Sequence, residues 1–124
     1  MADVDVSLKE LMAGVEGSLG AAVVDYTSGL ALGVLGGGKD LDLEVAAAGN
    51  TDVVRAQMRT LEHLGLASQI EDILITLDRH YHIIRLVNGR GGNGLFLYLV
   101  LDKARSNLAM ARHQLKRVEE NLAV

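Results

Sequence analysis

The amino-acid sequence predicts an α/β domain in which a five-stranded antiparallel sheet carries helices on both faces. Helical and strand spacings of apolar residues follow one another in the order αββαβββα. Glycine clusters, not prolines, separate these segments. The run 95–101 is apolar at nearly every position, which is typical of a strand covered on both faces. These features together favour helices on both sides of one sheet.

The first part of the sequence contains an amphipathic helix followed by a β-hairpin. Ser7 and Glu10 have the spacing of a capping box, so we expect the helix to begin at Ser7. Gly17 and Gly20 are expected to end it. The hairpin is predicted from two short apolar runs, 21–25 and 30–35, which flank a turn containing Asp, Ser and Gly.

A long helix, three strands and a final helix follow. Either Asp40 or Asp42 can cap the long helix, which we expect to reach about Leu64 before Gly65 ends it. Asp102 is expected to cap the final helix. The three strands are predicted at 70–77, 80–87 and 95–101. The apolar stripe of the final helix repeats by four and three, at Ala104, Leu108, Ala111, Leu115, Val118 and Leu122.

The long helix has two apolar stripes, although a domain with one sheet can cover only one of them. Leu43, Ala47 and Val54 belong to the stripe expected to pack on the sheet. Small residues form the second stripe, at Ala46, Gly49, Val53, Ala56 and Thr60. Because small residues let two helix backbones approach closely, this stripe predicts a homodimer across a two-fold axis. An alanine-rich helix favoured only by its intrinsic propensity is the alternative.

The strand predicted at 70–77 is expected to form an edge of the sheet. An unpaired strand edge invites association with another strand. Ile73 and Ile75 share one face of this strand, so we include both residues in the predicted dimer interface.

Three motifs have the spacing of binding sites but are better explained as structure. Residues 33–39 match a phosphate-binding loop, yet Asp40 stands where that motif needs Ser or Thr for magnesium. Residues 89–94 match a dinucleotide fingerprint, but the segment that follows is a predicted strand, so we expect a hairpin loop. His80 and His82 share a strand face without a clear third metal ligand, so we expect structural histidines.

Composition argues against several functional classes. The absence of cysteine excludes disulfides and thiolate chemistry and fits a reducing cytoplasm. A net charge of −4 and few aromatic residues argue against nucleic-acid binding. The longest apolar run is too short to cross a membrane, and the N-terminus does not have the pattern of a signal peptide. No residues have a catalytic arrangement, so we expect neither an active site nor a metal, cofactor or small-molecule substrate.

Charge is distributed unevenly along the sequence. Residues 1–52 contain nine acids and two bases, a net charge of −7, whereas residues 53–124 contain seven acids and ten bases, a net charge of +3. Such asymmetry can guide a protein partner, although an ordinary solvated surface is the favoured explanation.

Several stretches together resemble the Roadblock/LC7 domain family. Residues 11–15, Ala21-Ala-Val-Val-Asp25 and Gly29-Leu-Ala-Leu resemble its opening helix and hairpin. The alanine-rich helix, the strand around Ile73-Leu-Ile-Thr76 and the segment 107–112 are similar as well. The likeness covers about 7–122, which we take as the core of a single domain spanning 1–124. The resemblance implies a profilin-like sandwich that dimerises through its long helices and sheet edges.

The resemblance also implies a function. Members of the family bind or regulate small Ras-like GTPases, or serve as adaptors, and have no active site of their own. We therefore expect a non-enzymatic, cytoplasmic, homodimeric regulator of a GTPase, with a GTPase-activating or scaffold role. The alternative is a structural adaptor subunit of a larger complex without a GTPase partner. Candidate GTPase contacts lie on the remaining flank of the long helix, at Arg55, Arg59 and Glu62, with the loops 36–39 and 89–94 next.

Overall fold

The computed structural model describes residues 2–88 and 94–123 and confirms the predicted order of helices and strands. These elements are α1 (Val4–Gly14), β1 (Ser18–Asp25), β2 (Leu30–Gly36), α2 (Leu43–His63), β3 (Asp72–Thr76), β4 (His80–Leu86), β5 (Leu95–Asp102) and α3 (Leu108–Asn121). The strands form one antiparallel sheet in the order β2-β1-β5-β4-β3. The third strand therefore lies at an edge, as predicted.

Helices cover both faces of the sheet and divide its side chains between two cores. α1 and α3 pack on one face, where Leu11 and Leu115 are completely buried. α2 packs on the opposite face through Leu43, Ala47 and Val54. Residues 95–101 of β5 are all buried and alternate between the two cores, which confirms a strand covered on both sides.

α1 begins at Val4, so the prediction that Ser7 caps this helix was wrong. Asp3 is the cap, because its carboxylate accepts a hydrogen bond from the Val6 backbone N–H at 2.9 Å. Ser7 is instead a helical residue that is fully buried. The helix also ends earlier than Gly17, since Val15 has an extended backbone and packs into the core.

α3 begins at Leu108, so the prediction that Asp102 caps it was also wrong. Asp102 is the last residue of β5, and its carboxylate accepts from the Ala104 N–H at 3.1 Å. Its carbonyl accepts from the Ser106 hydroxyl at 2.7 Å, so these groups close a turn before the helix. Asn107 caps α3 through the Met110 N–H, and Ala104 lies outside the helical stripe.

α2 and the hairpin follow the predicted local chemistry. Asp42, not Asp40, caps α2 by accepting from the Glu44 and Val45 backbone N–H groups. Gly65 has a φ of 69° immediately after the helix, a conformation that favours glycine. In the hairpin turn, the Asp25 carboxylate accepts from the Thr27 N–H at 2.8 Å.

Two of the sequence motifs can be placed only in part. Residues 33–36 of the phosphate-loop motif lie within β2, so the motif begins inside a strand and not after one. The predicted hairpin loop at 89–94 falls mostly on 89–93, which lie outside the described residues. Among the residues that are described, no helix has the length and apolar character needed to cross a membrane.

Candidate protein-interaction surface

The second stripe of α2 faces away from the sheet. Gly49, Val53, Ala56 and Thr60 are exposed, whereas Ala46 is half-buried against the α2-side core. A methyl group placed on Gly49 would meet no atom within 4 Å. The helix therefore presents a smooth strip, with little side-chain bulk, that another backbone can approach closely.

A groove of ≈ 590 Å³ runs between this stripe and β3. Val53, Ala56 and Thr60 line it from the helix, and Ile73 lines it from the sheet. Residues predicted separately from helical and strand patterns therefore border one continuous surface. Ile75 lies further along the same face of β3, half-buried and opposite His82 in the ladder.

The outer edge of β3 carries unpaired backbone groups. In the described residues, β3 pairs with β4 alone. Leu77 donates its N–H to the His80 carbonyl at 2.8 Å, which establishes the phase of hydrogen bonding along the strand. Because that phase alternates, Ile73 and Ile75 bond to β4, while Leu74 and Thr76 direct their backbone groups outward. In the predicted interface, the side chains of Ile73 and Ile75 therefore alternate along β3 with the free backbone groups of Leu74 and Thr76.

A polar layer lies beneath this surface, on the α2 side of the sheet. The His82 Nδ1 is 2.9 Å from the Tyr98 hydroxyl, and the His80 and His82 rings stack with centroids 6.3 Å apart. Burial lowers the pKa of His82, and the neighbouring His80 lowers it further. Burial also raises the pKa of Tyr98, and the neighbouring Asn50 side chain opposes this shift. In the described chain no three histidine or acidic side chains come together to hold a metal ion.

Arg55 binds the hairpin turn of its own chain. Its Nε donates to the Tyr26 carbonyl at 2.9 Å, and its Nη2 donates to the Thr27 carbonyl at 2.6 Å. Arg59 and Glu62 are exposed on the same flank of α2. Glu62 also lines a second groove of ≈ 440 Å³ at the end of the helix. Sequence reasoning missed the intramolecular role of Arg55, because its partners lie 28 and 29 positions away.

Two ion pairs, formed by Glu119 and Asp72, lie on the other face of the sheet. Glu119 accepts from the Arg85 Nε at 2.8 Å and from the Asn88 backbone N–H at 3.2 Å. Asp72 pairs with the more exposed Arg112 at 3.0 Å. Both ion pairs attach α3 to the strands, and Asp72 also lines the groove between α2 and β3.

Comparisons with known proteins identify the fold. No protein-family model matches the chain, and no curated protein matches it. The Roadblock/LC7 domain from Streptomyces avermitilis superposes with a TM-score of 0.80 at 16% identity, covering 95% of this chain and 92% of that one. The gliding protein MglB from Thermus thermophilus has a TM-score of 0.76 at 20% identity, with 92% and 81% covered. Myxococcus xanthus MglB has a TM-score of 0.72 at 14% identity, with 91% and 76% covered. The chain therefore has the Roadblock/LC7 fold, which confirms the predicted profilin-like sandwich.

Proposed function

We propose that this protein is a non-enzymatic homodimer that binds and regulates a small Ras-like GTPase. The observation that carries the proposal is the continuous surface formed by the exposed small-residue stripe of α2, the adjacent groove and the free edge of β3. Two copies related by a two-fold axis would cover all three features at once.

The dimer part of the proposal follows from the shape and polarity of this surface. Val53 is 38% exposed, and Ala56 and Thr60 beside it carry no charge. Pairing the α2 helices would bury this stripe together with Ile73 and Ile75. The outward N–H and C=O groups of Leu74 and Thr76 would at the same time find partners in the second β3.

The GTPase part rests on the resemblance to Roadblock/LC7 domains and on what the dimer leaves exposed. Ala48, Asp52, Arg55, Arg59 and Glu62 recur at spacings of four and three along the other flank of α2. A dimer would present two such charged flanks side by side. Arg55 is already bonded to the hairpin turn, so Arg59 and Glu62 are the residues better able to contact a partner.

The dimer is tested by one substitution made at two positions of the same helix. Ala56→Glu would place like charges together at the two-fold axis and should convert the dimer to a folded monomer. Ala48→Glu makes the same change on the opposite exposed flank and should leave the dimer intact. Sedimentation velocity distinguishes the species, with circular dichroism to verify folding. A natural chain that sediments as a stable monomer at micromolar concentration would contradict the dimer.

The GTPase contact is tested with Ras-like GTPases of the same cell, loaded with GDP or with a non-hydrolysable GTP analogue. The natural protein should bind at least one of them, and Arg59→Ala should weaken binding tenfold or more while leaving the dimer unchanged. Arg55→Ala is a poorer choice because it also releases the hairpin turn. A dimer that binds no GTPase in either nucleotide state would instead favour the structural adaptor.

A further inference from the structure

β2 forms the second edge of the sheet and has few of the features that usually protect an edge. Residues 30–36 contain no charge and no proline, although natural edge strands are usually guarded by such residues. Leu30, Leu32 and Val34 are 67%, 45% and 40% exposed. Within the described chain, β2 pairs with β1 alone. A β-bulge at Leu32 interrupts the ladder, and Gly36 has a left-handed φ of 78°, so the regular part of this edge is 33–35 with Gly36 at its end.

The regular part of β2 offers backbone groups to a further strand. Gly37 donates its N–H to the Leu19 carbonyl at 2.8 Å, so Gly37 faces β1. Alternation along the strand then directs the N–H and C=O groups of Val34 and Gly36 away from the sheet. An extended segment laid along β2 would accept and donate at these positions.

A shallow groove of ≈ 310 Å³ lies beside this edge, between β2 and the start of α2. Its apolar wall includes Val34, Leu41 and Leu43. Its charged lining consists of Lys39, Asp42 and Glu44. The groove can therefore hold a side chain with an apolar stem and a polar end.

Acidic groups flank the β2 edge on both sides. Asp42 and Glu44 lie on the α2 side, and the Asp5 carboxylate of α1 lies 3.9 Å from a methyl group placed on Gly33. Lys39 is the basic residue of the groove lining, so these four side chains carry a net negative charge. A second copy docking through β2 would bring the same acids face to face, whereas a basic segment would be attracted.

We propose that β2 is a docking edge for an extended segment of another protein in which apolar residues alternate with lysine or arginine. The segment pairs with the outward backbone groups of Val34 and Gly36. Its apolar side chains cover Val34, and a basic side chain enters the groove toward Asp42 and Glu44. This inference does not depend on the proposed function, because β2 and β3 are opposite edges of the sheet.

The probe is a displayed library of random ten-residue peptides, selected on the immobilised full chain. Selection should enrich peptides in which β-branched residues alternate with lysine or arginine. In the complex, amide exchange should slow at Val34 and Gly36. N-methylation of alternate peptide bonds should weaken binding at least tenfold, because it removes the donors that pair with β2.

A matched charge reversal tests the electrostatic part. Glu44→Lys should weaken the selected peptides at least tenfold, whereas Glu120→Lys on the exposed surface of α3 should not. Peptides that bind Glu44→Lys equally, that tolerate N-methylation, or that protect residues outside 33–36 would overturn the proposal. Failure to enrich any peptide, or association of copies through β2, would overturn it as well.

Discussion

The Tyr98 hydroxyl and the His82 Nδ1 lie 2.9 Å apart and join β5 to β4 on the α2 side of the sheet. The neutral imidazole fits this half-buried position, because burial and His80 both lower the pKa of His82. In the unfolded chain the same ring has the ordinary pKa of 6.5. The unfolded state therefore binds more protons than the folded state in the interval below that value.

The first prediction is a loss of stability in mild acid. The contribution of His82 is fully present above pH 6.5 and is lost as the pH falls through 6.5 toward the lowered pKa of the folded state. Urea unfolding between pH 8 and pH 5 measures the change. His82→Gln removes the titrating ring and should flatten this part of the profile. An unchanged slope in that variant would assign the pH dependence to other groups.

The second prediction concerns the buried ion pair between β4 and α3. The Arg85 and Glu119 side chains are only 14% and 9% exposed, so Glu119→Ala leaves a guanidinium without its partner. We expect a loss of about 3–5 kcal/mol in the free energy of unfolding. Asp72→Ala breaks the more exposed pair with Arg112 and should cost about 1 kcal/mol or less. Equal effects of the two substitutions, measured by urea unfolding, would contradict the role of burial.

A third prediction compares the same substitution at two glycines. A methyl group on Gly33 would lie 2.6 Å from the Val4 Cγ1, so Gly33→Ala should push α1 off β2 and cost about 1–3 kcal/mol. Gly49→Ala meets no atom within 4 Å and lies inside a helix, so it should stabilise the monomer by about 1 kcal/mol. If α2 pairs at Gly49, the same change should weaken dimerisation. Thermal unfolding and sedimentation at several concentrations separate these two effects.

A fourth prediction concerns an unpaired hydroxyl in the core. Among the described residues, the Ser7 Oγ is completely buried without a hydrogen-bond partner. Ser7→Ala removes a desolvated polar group while preserving helical propensity, so it should stabilise the fold by about 1 kcal/mol. Ser18→Ala is the contrasting change, because the Ser18 hydroxyl donates to the Val15 carbonyl and its loss should destabilise. A destabilised Ser7→Ala variant would indicate that a partner, such as a water, binds the hydroxyl.

Local patterns predicted most of the fold because they depend on neighbouring residues. The hairpin turn, the end of α2 at Gly65 and the doubly covered β5 all follow from spacing within a few positions. Helix starts were less certain because aspartates and serines compete as caps. Asp3 caps α1 in place of Ser7, whose side chain is buried in the core. Asp102 bonds within a turn instead of capping α3.

The candidate surface was predictable in its residue types but not in its long-range contacts. Helical spacing identified the small stripe of α2, and strand order identified β3 as an edge. No local pattern shows that Arg55 bonds the hairpin carbonyls or that His82 meets Tyr98, since folding alone joins these distant positions. The exposed edge of β2 was not predicted, because the sequence pattern of an apolar strand is the same whether one or both of its edges are paired.

Because β5 is the central strand, its synthesis determines when the pairing of the sheet can be completed. β5 pairs with both β1 and β4, yet 70 positions separate Asp25, at the end of β1, from Leu95, at the start of β5. As the chain leaves the ribosome, the β1–β2 hairpin emerges first, and the side of β1 that pairs with β5 has no partner. β4 emerges later, and it also lacks its β5 partner. The two halves join only when the segment 95–102 appears, so most long-range pairing forms late. A ribosome that stalls before Leu95 would leave the free sides of β1 and β4 open to aggregation, and such nascent chains would be substrates for chaperones.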